Sequence, residues 1–350
     1  MTRQIHIGGV LMGGGAPVTV QTMTNTDTRN VAATLAQIRA AAEAGADIVR
    51  VSVYDEACAR AVRQLVDGSP VPLVADIHFD YRLAIQAVEN GIAKVRINPG
   101  NIGGEANVRK LADCLKAHGD VPVRIGVNSG SLEKDILARY GGVTAQGMVE
   151  SGLNHARMLE QAGFRDIAIS YKATNVPTMV AACRLAAEQS DLPQHIGVTE
   201  SGTARTGMVK SAVGIGTLLM EGIGDTIRVS LSGDPVQEVA AGLEILRAAG
   251  LRKDYVEIIS CPTCGRTCID VEGIAEKVRL ATRQVRRPLK VAVMGCVVNG
   301  PGEAKEADLG IAGGKDGGAL FIKGEAPRPV RGDYAQILIG EIRRRYGDAP

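Results

Sequence analysis

Four of the seven cysteines fall in two short stretches in the last hundred residues. Cys261-Pro-Thr-Cys264 is a C-x2-C turn, Cys268 follows it, and Cys296 lies within Gly295-Cys-Val-Val-Asn-Gly-Pro-Gly-Glu303. Two thiolates of a C-x2-C turn grip one face of a metal centre, and a third from a distant strand end closes the site. The spacing alone admits several readings. The thiols could be ordinary buried cysteines, because free cysteine is among the most buried residue types. Cys268 could complete a four-thiolate zinc site, although the usual second C-x2-C is lacking. Three thiolates could instead hold three irons of a [4Fe-4S] cluster and leave one iron for an exchangeable ligand. Asn-Gly-Pro-Gly is turn-forming and would fold Glu303 back towards Cys296. A carboxylate is a weaker iron ligand than a thiolate and would yield to a substrate oxygen, but spacing by itself favours a solvated loop side chain. Cys58, Cys114 and Cys183 lie in helical stretches and are read as packing residues.

A second set of residues suits anions. Val49-Arg50-Val51-Ser52, Val95-Arg96-Ile97-Asn98, Arg124-Ile125-Gly126-Val127-Asn128, Ser170-Tyr171-Lys172 and Arg228-Val229-Ser230 each place polar residues two or four apart near a strand end. On a strand that spacing points them to one side. Arg50, Arg96, Arg124, Lys172 and Arg228, with Asn98, Asn128 and Ser230, would converge on one mouth. Guanidinium forks match phosphate oxygens, and inward charges in a barrel need such a partner. The expected ligand carries more than one phosphate. Ser201-Gly202-Thr203 and Gly214-Ile215-Gly216 could add backbone N–H donors. Asp76, His78 and Glu200 are acid–base candidates, and Glu200, opposite so many cations, is the best placed for proton transfer. His195 is read as structural. Lys172 could alternatively form a Schiff base, as in barrel aldolases.

These residues sit on a regular rhythm. Eight Val- and Ile-rich runs alternate with Ala-rich helical stretches: Val18–Met23, Asp47–Val53, Pro72–Ile77, Lys94–Asn98, Val123–Val127, Asp166–Tyr171, His195–Thr199 and Asp225–Leu231. Helices such as Val31–Ala44, Tyr81–Asn90, Thr144–Ala162 and Val236–Ala248 follow them, several ending at a glycine suited to a left-handed cap. Strands apolar along their length are those of a parallel sheet covered on both faces. The count and size predict a (β/α)8 TIM barrel over residues 1–250, with a doubly wound sheet as the other architecture. The rhythm breaks near Leu251. Strand-like Val256–Ile259, Leu289–Met294, Leu309–Ala312 and Ala319–Lys323, with helical Val271–Val285 and Tyr334–Arg345, predict a small α+β domain over residues 251–350.

Composition narrows the function. With 40 Lys+Arg against 38 Asp+Glu, no single-sign field covers the molecule, which argues against a nucleic-acid or membrane binder. Aromatics at 3% without Trp leave no stacking platform for single strands. No apolar run approaches the roughly 18 residues of a membrane helix. The first residues lack a secretory apolar region, and the odd cysteine count argues against a disulfide framework, so a cytoplasmic enzyme is expected.

Five stretches together resemble the 4-hydroxy-3-methylbut-2-enyl diphosphate synthases, iron–sulfur enzymes of the non-mevalonate isoprenoid pathway, and the resemblance spans essentially the whole chain. They are Val20-Gln-Thr-Met-Thr-Asn-Thr-Asp-Thr28, Lys94-Val-Arg-Ile-Asn-Pro-Gly-Asn-Ile-Gly103, Arg124-Ile-Gly-Val-Asn-Ser-Gly-Ser-Leu-Glu133, Ser260-Cys-Pro-Thr-Cys-Gly-Arg266 and Gly295 to Glu303. The resemblance is to the two-domain bacterial form. It implies reductive opening and dehydroxylation of 2-C-methyl-D-erythritol 2,4-cyclodiphosphate, with electrons from flavodoxin or ferredoxin. It also implies Cys261, Cys264 and Cys296 as thiolate ligands of a [4Fe-4S] cluster, with Glu303 as the oxygen ligand. The strand-end Arg, Asn, Lys and Ser would hold the cyclic diphosphate, and Glu200 would sit near the reacting carbons. It further implies a head-to-tail homodimer in which one chain's cluster domain caps its partner's barrel. Cys268, just outside the core motif, is read as a bystander thiol, and Thr22 stands where Ser is expected.

Overall fold

The chain opens with an antiparallel hairpin, β1 (Ile5–Ile7) and β2 (Val10–Met12), which the strand rhythm did not predict. This computed structural model describes residues 1–98, 104–296, 302, 306–314 and 316–347. Eight parallel strands follow: β3 (Thr19–Met23), β4 (Ile48–Ser52), β5 (Leu73–Asp76), β6 (Lys94–Ile97), β7 (Val123–Asn128), β8 (Ile167–Lys172), β9 (His195–Ile196) and β10 (Thr226–Ile227). They pair in sequence from β3 to β8, while β10 lies between β9 and β3. A bridge between Ile169 and Gln194, with the Ile169 N–H donating to the Pro193 carbonyl at 2.9 Å, closes β8 onto the β9 side. This is a TIM barrel, and every expected strand lies in it. The last two are shorter than their apolar runs, because only two residues of each join the ladder.

The crossovers are α1 (Val31–Glu43), α2 (Glu56–Gly68), α3 (Tyr81–Glu89), α4 (Gly104–Ala117), α5 (Lys134–Tyr140), α6 (Ala145–Gln161), α7 (Val176–Gln189), α8 (Ala204–Met220) and α9 (Pro235–Ala248). Asn30, Asp55, Asp80, Thr144, Asn175 and Asp234 accept first-turn N–H groups and so start six of them. Gly45, Gly91, Gly163 and Gly250, at φ of 105°, 87°, 77° and 73°, stop four, as the Ala-Gly and Asn-Gly pairs predicted. Outward strand residues such as Val49, Val51, Val95, Ile97, Ile125 and Ile169 pack with helix residues in the main apolar core. At the other end of the pleat, inward Ile48, Val74 and Ala168 meet Ile5, Ile7 and Met12 of the hairpin. The hairpin therefore plugs the end of the barrel where the strands begin.

The barrel belongs to one compact unit, Met1–Leu251, and the rest to a second, Arg252–Pro350. The second unit holds β11 (Val256–Ser260), α10 (Val271–Ala281), β12 (Leu289–Met294), β13 (Leu309–Gly314), β14 (Gly317–Ile322), β15 (Arg328–Val330) and α11 (Tyr334–Tyr346). Its sheet runs β11-β12-β13-β14-β15, parallel over the first three strands and antiparallel thereafter. Val271, Ile274, Val278, Leu338, Ile339 and Ile342 lay both helices against the same apolar sheet residues, among them Val291, Val293, Leu309 and Ile311. The short edge strand β15, which contains Pro329, was not expected, and α10 stops at Ala281 rather than Val285.

Candidate functional site

Strand pleat explains the barrel interior. With Val49, Val51, Val95, Ile97 and Ile125 directed outward, their neighbours Arg50, Ser52, Lys94, Arg96, Asn98 and Arg124 must point inward. Register then sets them side by side. Ser52 pairs with Asp76, Asp76 with Arg96, and Arg96 with Arg124 across β4, β5, β6 and β7. Two inward positions beyond Arg124, Asn128 pairs with Lys172. Arg228 lies close enough to bear electrostatically on both Arg50 and Lys172. The cations expected from the strand ends are therefore gathered in one interior.

Few carboxylates offset them. Asp76 Oδ1 accepts from Arg96 Nη1 at 2.9 Å, and Asp76 Oδ2 lies 3.8 Å from Arg50 Nε and 3.3 Å from His78 Nε2. Burial would raise the Asp76 carboxyl, but Arg50, His78 and Arg96 outweigh it and hold it well below the ordinary range. Asp76 is thus a fixed counter-ion. Glu238 on α9 lies 3.2 Å from Arg228 Nη2 and accepts from Thr22 Oγ1 at 2.8 Å, so Thr22 serves as its anchor. Arg50 also directs Nε and Nη2 at the Met23 sulfur, 3.1 and 2.9 Å away. Arg124 Nη1 donates to Ser170, but Nε and Nη2 of Arg124 and Nε of Arg96 are buried without a hydrogen-bond partner among the described residues. Burial and then the neighbouring Arg124 and Arg228 push the Lys172 amine far below its usual value. Unspent donors facing inward fit an anionic ligand.

Gly126 makes room for this arrangement. A Cβ there would stand 2.5 Å from Arg96 Nε, so the guanidinium lies across the bare backbone. Glu200 follows β9 and holds φ at +50°, a rare conformation for a residue other than glycine. Its carboxylate is exposed and accepts from Thr174 Oγ1 at 3.2 Å. The adjacent Ser201 donates to the Ser230 carbonyl, joining the strand-end loops of β9 and β10. The Gly214-Ile215-Gly216 reading fails. These residues lie inside α8, where Gly214 lets the helix close on Met179 and Val198, so they are not a free N–H nest. Only Ser201-Gly202-Thr203 stands at that helix's start.

Sequence reasoning missed two features. Lys94, fully buried, is a further inward cation, and its position two residues before Arg96 was the signal. Glu133 accepts from Ser151 Oγ at 2.8 Å and lies 3.1 Å from His155 Nε2, pinning the segment that follows Asn128 onto α6. No local pattern announces that latch.

In the second unit, β11 and β12 are parallel neighbours with Ser260 opposite Val293, so Cys261 and Cys296 follow the C-terminal ends of adjacent strands. The Gly295 N–H donates to Cys261 Sγ at 3.1 Å, and the Cys268 N–H donates to the Gly295 carbonyl at 2.8 Å. The Cys264 thiol is lowered, first by the Arg266 backbone N–H and then by the Arg266 side chain and Thr267. An N–H aimed at one sulfur and a depressed neighbour suit thiolate ligands. Cys264 and Cys268 are exposed, and Cys261 and Cys296 half-buried. Among the described residues no three His, Cys, Asp or Glu side chains are gathered tightly enough to hold a metal ion unaided. Glu303 lies outside the described residues. Cys58 and Cys183 are buried in the barrel core and Cys114 half-buried, and burial pushes the Cys183 thiol up to about 12.

Fold and site together define a TIM-barrel protein with a cation-lined interior and a thiol-bearing second unit. Residues 2–243 match the GcpE TIM-barrel domain and residues 257–343 the GcpE protein C-terminal domain, so the chain belongs to the GcpE family. It is 55% identical over 345 residues to a Caldanaerobacter subterraneus protein named 4-hydroxy-3-methylbut-2-en-1-yl diphosphate synthase (flavodoxin), covering 98% of this chain and 97% of that one. A Maridesulfovibrio salexigens protein of the same name is 57% identical over 95% of this chain and 92% of its own length. Among solved structures, dihydropteroate synthase from Yersinia pestis superposes with a TM-score of 0.51 over 71% of this chain and 98% of that one. At 14% identity that likeness shows the barrel fold alone. Among the described residues no helix is long and apolar enough to cross a membrane.

Proposed function

We propose that the protein converts 2-C-methyl-D-erythritol 2,4-cyclodiphosphate to 4-hydroxy-3-methylbut-2-enyl diphosphate. The ring is opened and a hydroxyl is removed as water, with two electrons taken from reduced flavodoxin or ferredoxin. The observation that carries this reading is the excess of inward cations over carboxylates in a chain related along its whole length to proteins of that name. Arg50, Arg96, Arg124, Lys172 and Arg228 neutralise the two phosphates and stabilise the charge that grows as the ring C–O bond breaks. Asn98, Asn128 and Ser230 orient the ligand. Glu200 is the residue placed to move a proton.

Cys261, Cys264 and Cys296 would hold the [4Fe-4S] cluster, with Glu303 as an exchangeable oxygen ligand. The hydrogen bond to Cys261 and the lowered Cys264 thiol support that set. When bound, such a cluster supplies single electrons and a Lewis-acidic iron. The same reading makes residues 1–250 the substrate-binding domain and 251–350 the cluster domain of a cytoplasmic, head-to-tail homodimer.

The test is anaerobic reconstitution of the full chain with iron and sulfide, then turnover with reduced flavodoxin. About four irons per chain and appearance of the linear allylic diphosphate are expected. A protein holding one zinc, or a four-iron protein that leaves the cyclodiphosphate unchanged, would overturn the proposal.

A further inference from the structure

The barrel holds a second lysine that the scheme above does not use. Lys94 opens β6, one pleat below Arg96, and is 0% exposed. Val74, its register partner on β5, belongs to the apolar contact that the hairpin makes with the barrel floor. Lys94 therefore sits between the cation layer and the plug. Its Nζ has no hydrogen-bond partner among the described residues.

The charged groups that bear on it are Arg124 from β7 and Arg50 from β4, and it bears in turn on His195 of β9. Among the described residues no carboxylate bears on it. Asp76 serves Arg50 and Arg96, and Glu238 serves Arg228. An ammonium offers three donors, and burying all of them unpaired among like charges is among the costliest arrangements in a core. A guanidinium cannot relieve that crowding by losing its proton, whereas an amine can. Burial first, then Arg124 and Arg50, push the Lys94 amine far below its ordinary value. Among the described residues buried side-chain atoms of Gln21, His195 and Thr226 also lack partners, so the barrel interior on the side of Lys94 is polar rather than purely apolar.

A bound diphosphate reverses the local field. We infer that Lys94 is a proton-accepting residue beneath the anion pocket, held as a neutral amine in the free protein and converted to an ammonium when the diphosphate enters. The bond formed is N–H at Nζ, the proton comes from solvent, and no electron moves. The inference rests on the barrel interior being the diphosphate site. Its consequence is that anion affinity depends on pH through a group that never touches the anion. Affinity falls as pH rises through the window in which the free protein holds the amine neutral and the complex holds it protonated, and it is tightest below that window.

The experiment is calorimetric titration of the full chain, without reductant, with 2-C-methyl-D-erythritol 2,4-cyclodiphosphate in buffers of different ionisation heat. The wild type should take up about one proton more per chain than Lys94→Met. Its dissociation constant should also rise with pH more steeply than the variant's, by up to about tenfold per unit. His195→Gln should keep the uptake. Lys94→Gln, with a polar tip, replaces the methionine variant if that one does not fold. Equal uptake by wild type and Lys94 variant would overturn the inference, as would loss of uptake in His195→Gln instead. Failure of the wild type to bind the cyclodiphosphate would overturn the site itself, whereas binding without proton uptake would overturn only the role of Lys94.

Discussion

In the barrel, most candidate side chains leave a hydrogen-bonded strand or the residue just past it, so the pleat sets their direction before any ligand arrives. In the second unit the thiols stand on loops beyond β11 and β12, and two of the four are exposed. The barrel carries the cost of its site in the free protein, as buried cations short of partners. The cysteine loops carry less, since a thiol at a surface is easily accommodated. The proposed anion site is therefore prepared by register, while the proposed thiolate site would be drawn together by what it binds. Several changes would break or sharpen that contrast.

The largest effect is expected at a cysteine. Cys296→Ser should abolish the iron–sulfur absorbance and lower turnover below about a thousandth of wild type. Cyclodiphosphate binding by the barrel should persist, and its loss in the same variant would break the separation of the two sites. Next comes Arg124→Met, which should weaken substrate use by about a hundredfold, as loss of a charge-assisted contact does. The free protein should melt higher, because an unpaired buried cation is gone. A lower melting temperature would show that Arg124 is satisfied at rest.

Asp76→Asn strips Arg50 and Arg96 of their counter-ion and should cost about 3–5 kcal/mol in denaturant unfolding. The lowered Asp76 carboxyl contributes stability that is present above about pH 4, where the unfolded chain is ionised, and is lost as pH falls through the folded value. The variant's stability should accordingly fall less on acidification than that of the wild type. Gly126→Ala should displace the Arg96 guanidinium, raise KM about tenfold and, by disturbing the buried Arg96–Asp76 pair, lower the melting temperature by less than Asp76→Asn does. The smallest change is expected for Cys268→Ser, with iron content unaltered and turnover within about twofold. Loss of iron would make Cys268 a ligand and end its standing as a bystander.

Most of the barrel could be read from alternation. The apolar runs became β3 to β10, and glycine caps stopped the helices where Ala-Gly and Asn-Gly stood. The plug was not legible, because Ile5–Ile7 and Val10–Met12 are too short to announce what they cover. The Gly214–Gly216 reading failed for a related reason. Glycines that look like a loop lie inside α8, where Gly214 packs closely on Met179 and Val198. Lys94 shares the pleat of Arg96 and was within reach of the same rule, yet nothing local says that it lies below the cation layer.

By itself the sequence determined which residues share a strand face, where helices begin and end, and that four thiols follow two strands. Those are local properties, fixed by a two-residue pleat, by caps and by turn chemistry. Only the tertiary structure decided that one carboxylate, Asp76, answers both Arg50 and Arg96, and that Arg96 crosses Gly126. It alone brought the Gly295 N–H to the sulfur of Cys261, thirty-four positions away. Such pairings depend on lateral register between strands far apart in the chain, and a register is selected by the closed sheet as a whole.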